Sequence, residues 1–175
     1  MSLTIEREPA VQDILPMDLM MEADEAGIRL EYIDGLTVWE AMPRARHQAR
    51  VFQIQNSIRP TRNQTTRCGC WQYSDVVVAF PDGSRKRPDI AIFCSEPEQD
   101  EDITQIPDAA IEILSRGYEK KDLVLGVSLY KKFGVKDVIV LDPMSGKIQH
   151  FRRDGERSLQ SPVEITLECG CVCTV

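Results

Sequence analysis

The sequence predicts an α/β (α+β) fold: a mixed central sheet flanked by helices, entered through an N-terminal helix and a β-hairpin. Three observations predict it. Ile28–Ile33 alternates like a strand and meets the turn dipeptide Asp34-Gly35. Two apolar strand-like runs, Asp89–Phe93 and Ala109–Leu114, each carry one carboxylate. An amphipathic stretch, Glu119–Phe133, then runs into the β-branched segment Asp137–Asp142, giving strand, helix, strand in order. The 175 residues suffice for one domain with a real core and not for two comfortable ones, so residues 1–175 are expected to be a single domain.

The elements follow from local chemistry. Pro16–Ala26 reads as a short helix, with Pro16 suited to a first helical position and Gly27 to the stop. Ile28–Ile33 and Leu36–Trp39 pair across Asp34-Gly35. Residues 44–58 are helical, with Ala45, Ala49, Phe52 and Ile58 near helical spacing. Residues 59–67 read as a loop, Asp75–Phe80 as a strand, and Pro81-Asp82-Gly83-Ser84 as a turn. Pro88 opens the Asp89–Phe93 strand, where its missing N–H does least harm. Residues 95–108 form an acidic loop. On the Glu119–Phe133 helix, Leu123, Val127 and Tyr130 share a face and Gly134 ends it. Pro143–Gly146 turns into the strand Lys147–Phe151, and Val163–Val175 reads as one further strand.

Composition excludes several classes. At 42% hydrophobic and 28% charged the chain is ordinary globular protein, no run is apolar for long enough to span a bilayer, and Met1–Glu8 lacks the plan of a signal peptide. A cytoplasmic protein with no membrane partner is expected, and its six cysteines are expected to be reduced thiols. The net charge of −7 argues against a general nucleic-acid coat, yet residues 1–43 carry −8, residues 44–87 carry +7 and residues 88–175 carry −6. A basic middle between acidic ends could form one positive face, or only a solvated surface.

The candidate chemistry sits on two strands. Strand alternation puts Asp89 on one face with Ala91 and Phe93, and Glu112 on one face with Ala110 and Leu114. A carboxylate between Ile111 and Ile113 is costly unless paired or bound to a metal. Two such carboxylates on adjacent strands, with the Ile113 carbonyl as a third ligand, make a hard oxygen site that suits Mg2+.

The ordered words Glu31-Tyr32-Ile33-Asp34-Gly35, Pro43 to His47-Gln48, Pro88-Asp89, Glu112-Ile113-Leu114-Ser115, Asp122, Tyr130, Gly134-Val135 and Asp142-Pro143 resemble the Uma-type putative restriction endonucleases. These are a bacterial branch of the PD-(D/E)XK nuclease superfamily, especially expanded in cyanobacteria. The resemblance covers roughly residues 15–153. It implies a restriction-endonuclease-like core and a nuclease that uses Mg2+ (or Mn2+) to hydrolyse DNA phosphodiester bonds. Asp89, Glu112 and the Ile113 carbonyl would be the metal ligands, and Glu31 a supporting carboxylate. A lysine normally completes such a site, two residues after the Glu or four after the helical Asp. Here those positions hold Leu114 and Gly126. Lys120 and Lys121 are the nearest candidates to take over, with Lys86 a third. All three are expected to be solvated surface lysines, although a flexible ammonium can arrive from a neighbouring turn.

Other residues are ambiguous from sequence. His47, beside Arg44, Arg46 and Arg50, could touch phosphate but reads as an ordinary surface or capping residue. Those arginines could contact a DNA backbone with strong salt dependence, or only solubilise. Cys68-Gly69-Cys70 and Cys169-Gly170-Cys171-Val172-Cys173 lack the two or more intervening residues usual between paired zinc ligands, and Cys94 reads as core. Trp39 and Trp71 could stack bases, but packing in hairpin or core is the expected role. Two rivals to the enzyme stand. One is a nuclease-fold module that binds DNA or protein without turnover. The other is a self-assembling protein; a homo-oligomer, a dimer foremost, is expected in any case.

Overall fold

The computed structural model describes residues 17–41, 43–62, 68–98, 102–115 and 121–175. The chain opens with α1 (Met17–Glu25), the hairpin β1 (Ile28–Ile33) and β2 (Leu36–Ala41), and then α2 (Ala45–Ser57). Five short strands follow: β3 (Arg59–Pro60), β4 (Trp71–Tyr73), β5 (Val78–Ala79), β6 (Arg85–Lys86) and β7 (Ile90–Phe93). Next come β8 (Ala109–Ile113), a π-helical segment Lys121–Gly126 that leads directly into α3 (Val127–Lys132), and β9 (Asp137–Leu141). The chain closes with β10 (Lys147–Arg152), β11 (Gly155–Gln160), β12 (Glu164–Thr166) and β13 (Cys171–Thr174).

The central sheet has six strands in the order β11-β10-β9-β8-β7-β4. Only β8 and β9 pair in parallel, because the helical segment between them carries the chain back across the sheet. The sheet is therefore mixed and the fold α+β. A second sheet, β2-β1-β6-β5, holds the hairpin, and a third, β12-β13-β3, joins the C-terminal strands to the end of α2.

Alternation sorts the central strands onto two buried faces. Ile90, Ile92, Ile111, Ile113, Ile139 and Leu141 pack with Val51 and Ile54 of α2. Ala91, Phe93, Ala110, Val138 and Val140 pack with Val127, Leu129 and Tyr130 of α3. β7 and β8 are buried at every position, as a strand covered by helices on both faces must be.

Several local expectations are corrected. The stripe that α2 buries is His47, Val51 and Ile54, while Ala45, Ala49 and Phe52 face solvent. The segment Asp75–Phe80 forms a strand only at Val78–Ala79, and Arg85–Lys86 returns against it. Trp71–Tyr73 and Gly155–Gln160 are strands, and the supposed loop after α2 begins with the strand Arg59–Pro60. The tail is a pair of antiparallel strands, because Gly170 at φ +93 lets the chain reverse. The helix before Gly134 opens with π-helical turns, and its expected start at Glu119 and Lys120 lies outside the described residues, as does Pro16. The hairpin stands as expected: Asp34 (φ +48) and Gly35 (φ +82) take the two left-handed positions of a tight turn.

The cysteine expectation also changes. Cys70 and Cys171, at 6.0 Å between Cα atoms, form a disulfide, because β13 brings the C-terminal cysteines against the segment before β4. Cys94 is half-buried rather than core. Trp39 and Trp71 are both exposed, since each points away from the packed face of its strand.

Candidate functional site

The ladder between β7 and β8 pairs Ile90 with Ile111 and Ala91 with Ala110. One step further along this antiparallel register, Asp89 stands opposite Glu112. Two carboxylates directly across from each other on a buried face repel, so the surroundings must hold them.

Asp89 is held from the backbone and from α2. The Ile113 amide donates to Asp89 Oδ2 at 2.7 Å, and His47 Nε2 lies 3.1 Å from the same oxygen. His47 Nε2 is also 3.1 Å from the Ile113 carbonyl oxygen. One imidazole nitrogen therefore bridges a side-chain oxygen of β7's entrance and a main-chain oxygen of β8's last residue. The expectation of a surface or capping histidine is overturned. His47 is buried because it belongs to the stripe that α2 lays on the sheet.

Glu112 is held from the other side. Tyr130 Oη donates to Glu112 Oε1 at 2.6 Å, and Lys86 Nζ lies 2.9 Å from that oxygen. The Asp89 amide donates to Glu112 Oε2 at 3.3 Å. Burial and the neighbouring Glu112 charge hold the Tyr130 phenol well above its ordinary 10.0, so it stays a proton donor.

Lys86 is the site's main correction. It was expected in solvent, and it is fully buried. Its ammonium is 3.2 Å and 3.4 Å from the two oxygens of Glu31 and 3.4 Å from Asp122 Oδ1. Burial pushes this ammonium towards neutrality, but the charges of Glu112, Glu31 and Asp122 outweigh it and hold its pKa well above 10.5. Glu31 is fixed further by the Arg87 amide at 3.0 Å. The nearness of Lys86 to Asp89 in sequence made it one of the three lysines that a neighbouring turn could bring in. The available signal was Lys86's place in the Ser84-Arg85-Lys86-Arg87-Pro88 run that feeds Asp89.

Glu31, Asp89, Glu112, Asp122, Lys86, His47 and Tyr130 are thus brought into one buried network. Lys121 opens the π-helical segment, but its side chain lies outside the described residues, and Lys120 lies wholly outside them. Leu114 is half-buried on the apolar face, and Gly126 is buried four residues after Asp122. Among the described residues, Glu31, Glu112 and Asp122 surround the Lys86 ammonium while Asp89 meets the His47 imidazole, and so many carboxylates in one buried pocket favour a bound cation. Two carboxylates, a carbonyl oxygen and an imidazole nitrogen form a donor set that fits a divalent ion of the Mg2+ or Mn2+ kind.

No helix among the described residues is long and apolar enough to cross a membrane. No curated protein matches the chain. Among solved structures it is similar to a putative nuclease belonging to DUF820 from Anabaena variabilis. That match has 19% sequence identity and a TM-score of 0.62, over 86% of this chain and 88% of that one. At this identity the likeness speaks for the fold. The family model "Uma2: Putative restriction endonuclease" matches residues 12–168, nearly the whole chain. The chain belongs to the Uma2 family of putative restriction endonucleases.

Proposed function

We propose that the protein is a metal-dependent nuclease that hydrolyses DNA phosphodiester bonds. The observation that carries this reading is the meeting of Asp89 and the Ile113 carbonyl at the buried His47 imidazole, with Glu112 Oε2 on the Asp89 amide beside them. Asp89, Glu112 and the Ile113 carbonyl would hold Mg2+ or Mn2+, with His47 Nε2 as a further donor. Such an ion, when bound, polarises the phosphate and lowers the pKa of an attacking water.

The chain's own residues prepare this site. The Ile113 amide fixes Oδ2 of Asp89. Tyr130 and Lys86 both grip Oε1 of Glu112, which leaves Oε2 on the side of Asp89. Lys86 works here as a positioning residue. It bridges Glu112, Glu31 and Asp122 and supplies the positive charge that position 126 lacks. Because α2 delivers His47, its exposed Arg44 and Arg46 start beside the pocket, where they would take the phosphates of an approaching strand.

The test is nicking of supercoiled and single-stranded DNA in Mg2+ or Mn2+, with Asp89→Ala as control. Cleavage that needs the metal and vanishes in Asp89→Ala supports the reading. Gly126 and Leu114 favour one rival, a binding module without turnover. DNA retention with no metal-dependent cleavage would establish that rival instead.

A further inference from the structure

Away from the carboxylate pocket, five of the six cysteines gather from three distant stretches of chain. Cys68 and Cys70 precede the edge strand β4, Cys94 follows β7, and Cys169 and Cys171 bound the reversal between β12 and β13. The Gly69 amide donates to the Cys94 carbonyl at 2.8 Å, and the Cys94 thiol faces the Cys169 carbonyl at 3.8 Å. The sulfurs of Cys68, Cys94 and Cys169 lie within 4.8 Å of one another. Cys68 Sγ is also 3.4 Å from Cys171 Sγ. Asp89 precedes β7 and Cys94 follows it, so the two sites lie about 17 Å apart along the strand direction at about 3.3 Å per residue.

We propose that Cys68, Cys94 and Cys169 form a thiolate site for a soft divalent cation, Zn2+ foremost. Tetrahedral thiolates at a Zn–S distance of about 2.3 Å stand about 3.8 Å apart, so the sulfurs need only small rotamer changes to close on an ion. The short C-x-C spacing does not oppose this, because the ligands come one from each of three segments and no knuckle has to supply two. Without an ion the cluster resists charging. Burial, and then the neighbouring Cys68, push the Cys94 thiol well above its ordinary value, and burial pushes Cys169 up to about 12. Binding therefore releases the thiol protons to solvent as the metal–sulfur bonds form. The half-buried Cys94 gives an ion its way in, and Asp108, whose Oδ2 accepts from the Cys94 amide at 2.8 Å, fixes that segment.

The experiment uses the full chain, reduced and stripped of metal. Zn2+ is expected to remain at one equivalent through desalting in the Asp89→Ala variant, which separates this site from the carboxylate pocket. Co2+ should give thiolate charge-transfer absorption. Cys94→Ser and Cys169→Ser should each weaken Zn2+ by about 10-fold or more in chelator competition, and Cys173→Ser, outside the cluster, should leave it unchanged. The proposal is overturned if the reduced chain retains no zinc, or if the triple serine variant of Cys68, Cys94 and Cys169 retains as much as the parent. Should those variants not fold, a Co2+ spectrum of the parent without thiolate bands overturns it equally.

Discussion

Lys86 Nζ and Glu112 Oε1 sit 2.9 Å apart with essentially no solvent reaching either residue. This ion pair joins the two halves of the pocket. β6 contributes the ammonium, and β8 the carboxylate that stands across from Asp89.

Lys86→Met should remove the ammonium that Glu31, Glu112 and Asp122 share, at a cost of about 3–5 kcal/mol in urea unfolding. The loss should shrink as pH falls, because protonation relieves the repulsion. In the parent the folded pKa of Lys86 is raised. Its stabilisation is therefore complete below about pH 10.5 and declines as pH climbs through the folded value. A parent whose unfolding free energy matches that of Lys86→Met at pH 7 would refute the role given to this pair.

Gly126→Lys placed in the Lys86→Met background should recover part of that stability. Gly126 has ordinary helical geometry at φ −62 and lies one turn past Asp122, so its side chain would enter the region that Lys86 vacates. The same change in the parent should destabilise, since two ammonium groups would then compete for one acidic pocket. Thermal melts of the four proteins check both signs.

His47→Ala should weaken Mn2+ binding by about 10–100-fold, measured by calorimetry. It should cost less stability than Lys86→Met, because it removes a bridge between Asp89 and Ile113 and leaves the Ile113 amide bond to Asp89 in place. Unchanged Mn2+ affinity would remove His47 from the proposed donor set.

Asp137 tests the fold apart from the site. It is fully buried and accepts from His150 Nε2 at 2.8 Å, Arg152 Nε at 2.5 Å and the Glu168 amide at 2.7 Å. Burial pushes its carboxyl up, but the bonds from His150, the Glu168 amide and Arg152 outweigh this and hold it below 3.8. A depressed pKa stabilises above the unfolded value and loses that contribution as pH falls through the folded one. Asp137→Asn should therefore cost about 3 kcal/mol at pH 7, and the gap to the parent should close below about pH 4 in acid unfolding curves.

The strands that carry the pocket were legible because burial writes itself into sequence. Ile90 to Phe93 and Ala109 to Ile113 are apolar except at the carboxylate, and alternation alone fixes which face each acid takes. The short strands were not legible. Arg85–Lys86 and Arg59–Pro60 have no periodicity over two residues and exist only because a partner strand lies alongside. The face of α2 was misread for a related reason. A polar histidine belongs to its buried stripe, so the apolar residues alone pointed two positions away.

The sequence by itself determined the order of the main elements, the turn at Asp34-Gly35, and the placing of Asp89 and Glu112 on their strands, because each depends on near neighbours in the chain. Only the tertiary structure decided that Lys86 is buried, that His47 touches Asp89, and that cysteines 68, 94 and 169 meet. Those contacts span 42 residues of chain between His47 and Asp89 and 75 between Cys94 and Cys169. The physical reason is that such long-range contacts come from sheet pairing and helix packing, which no local pattern encodes.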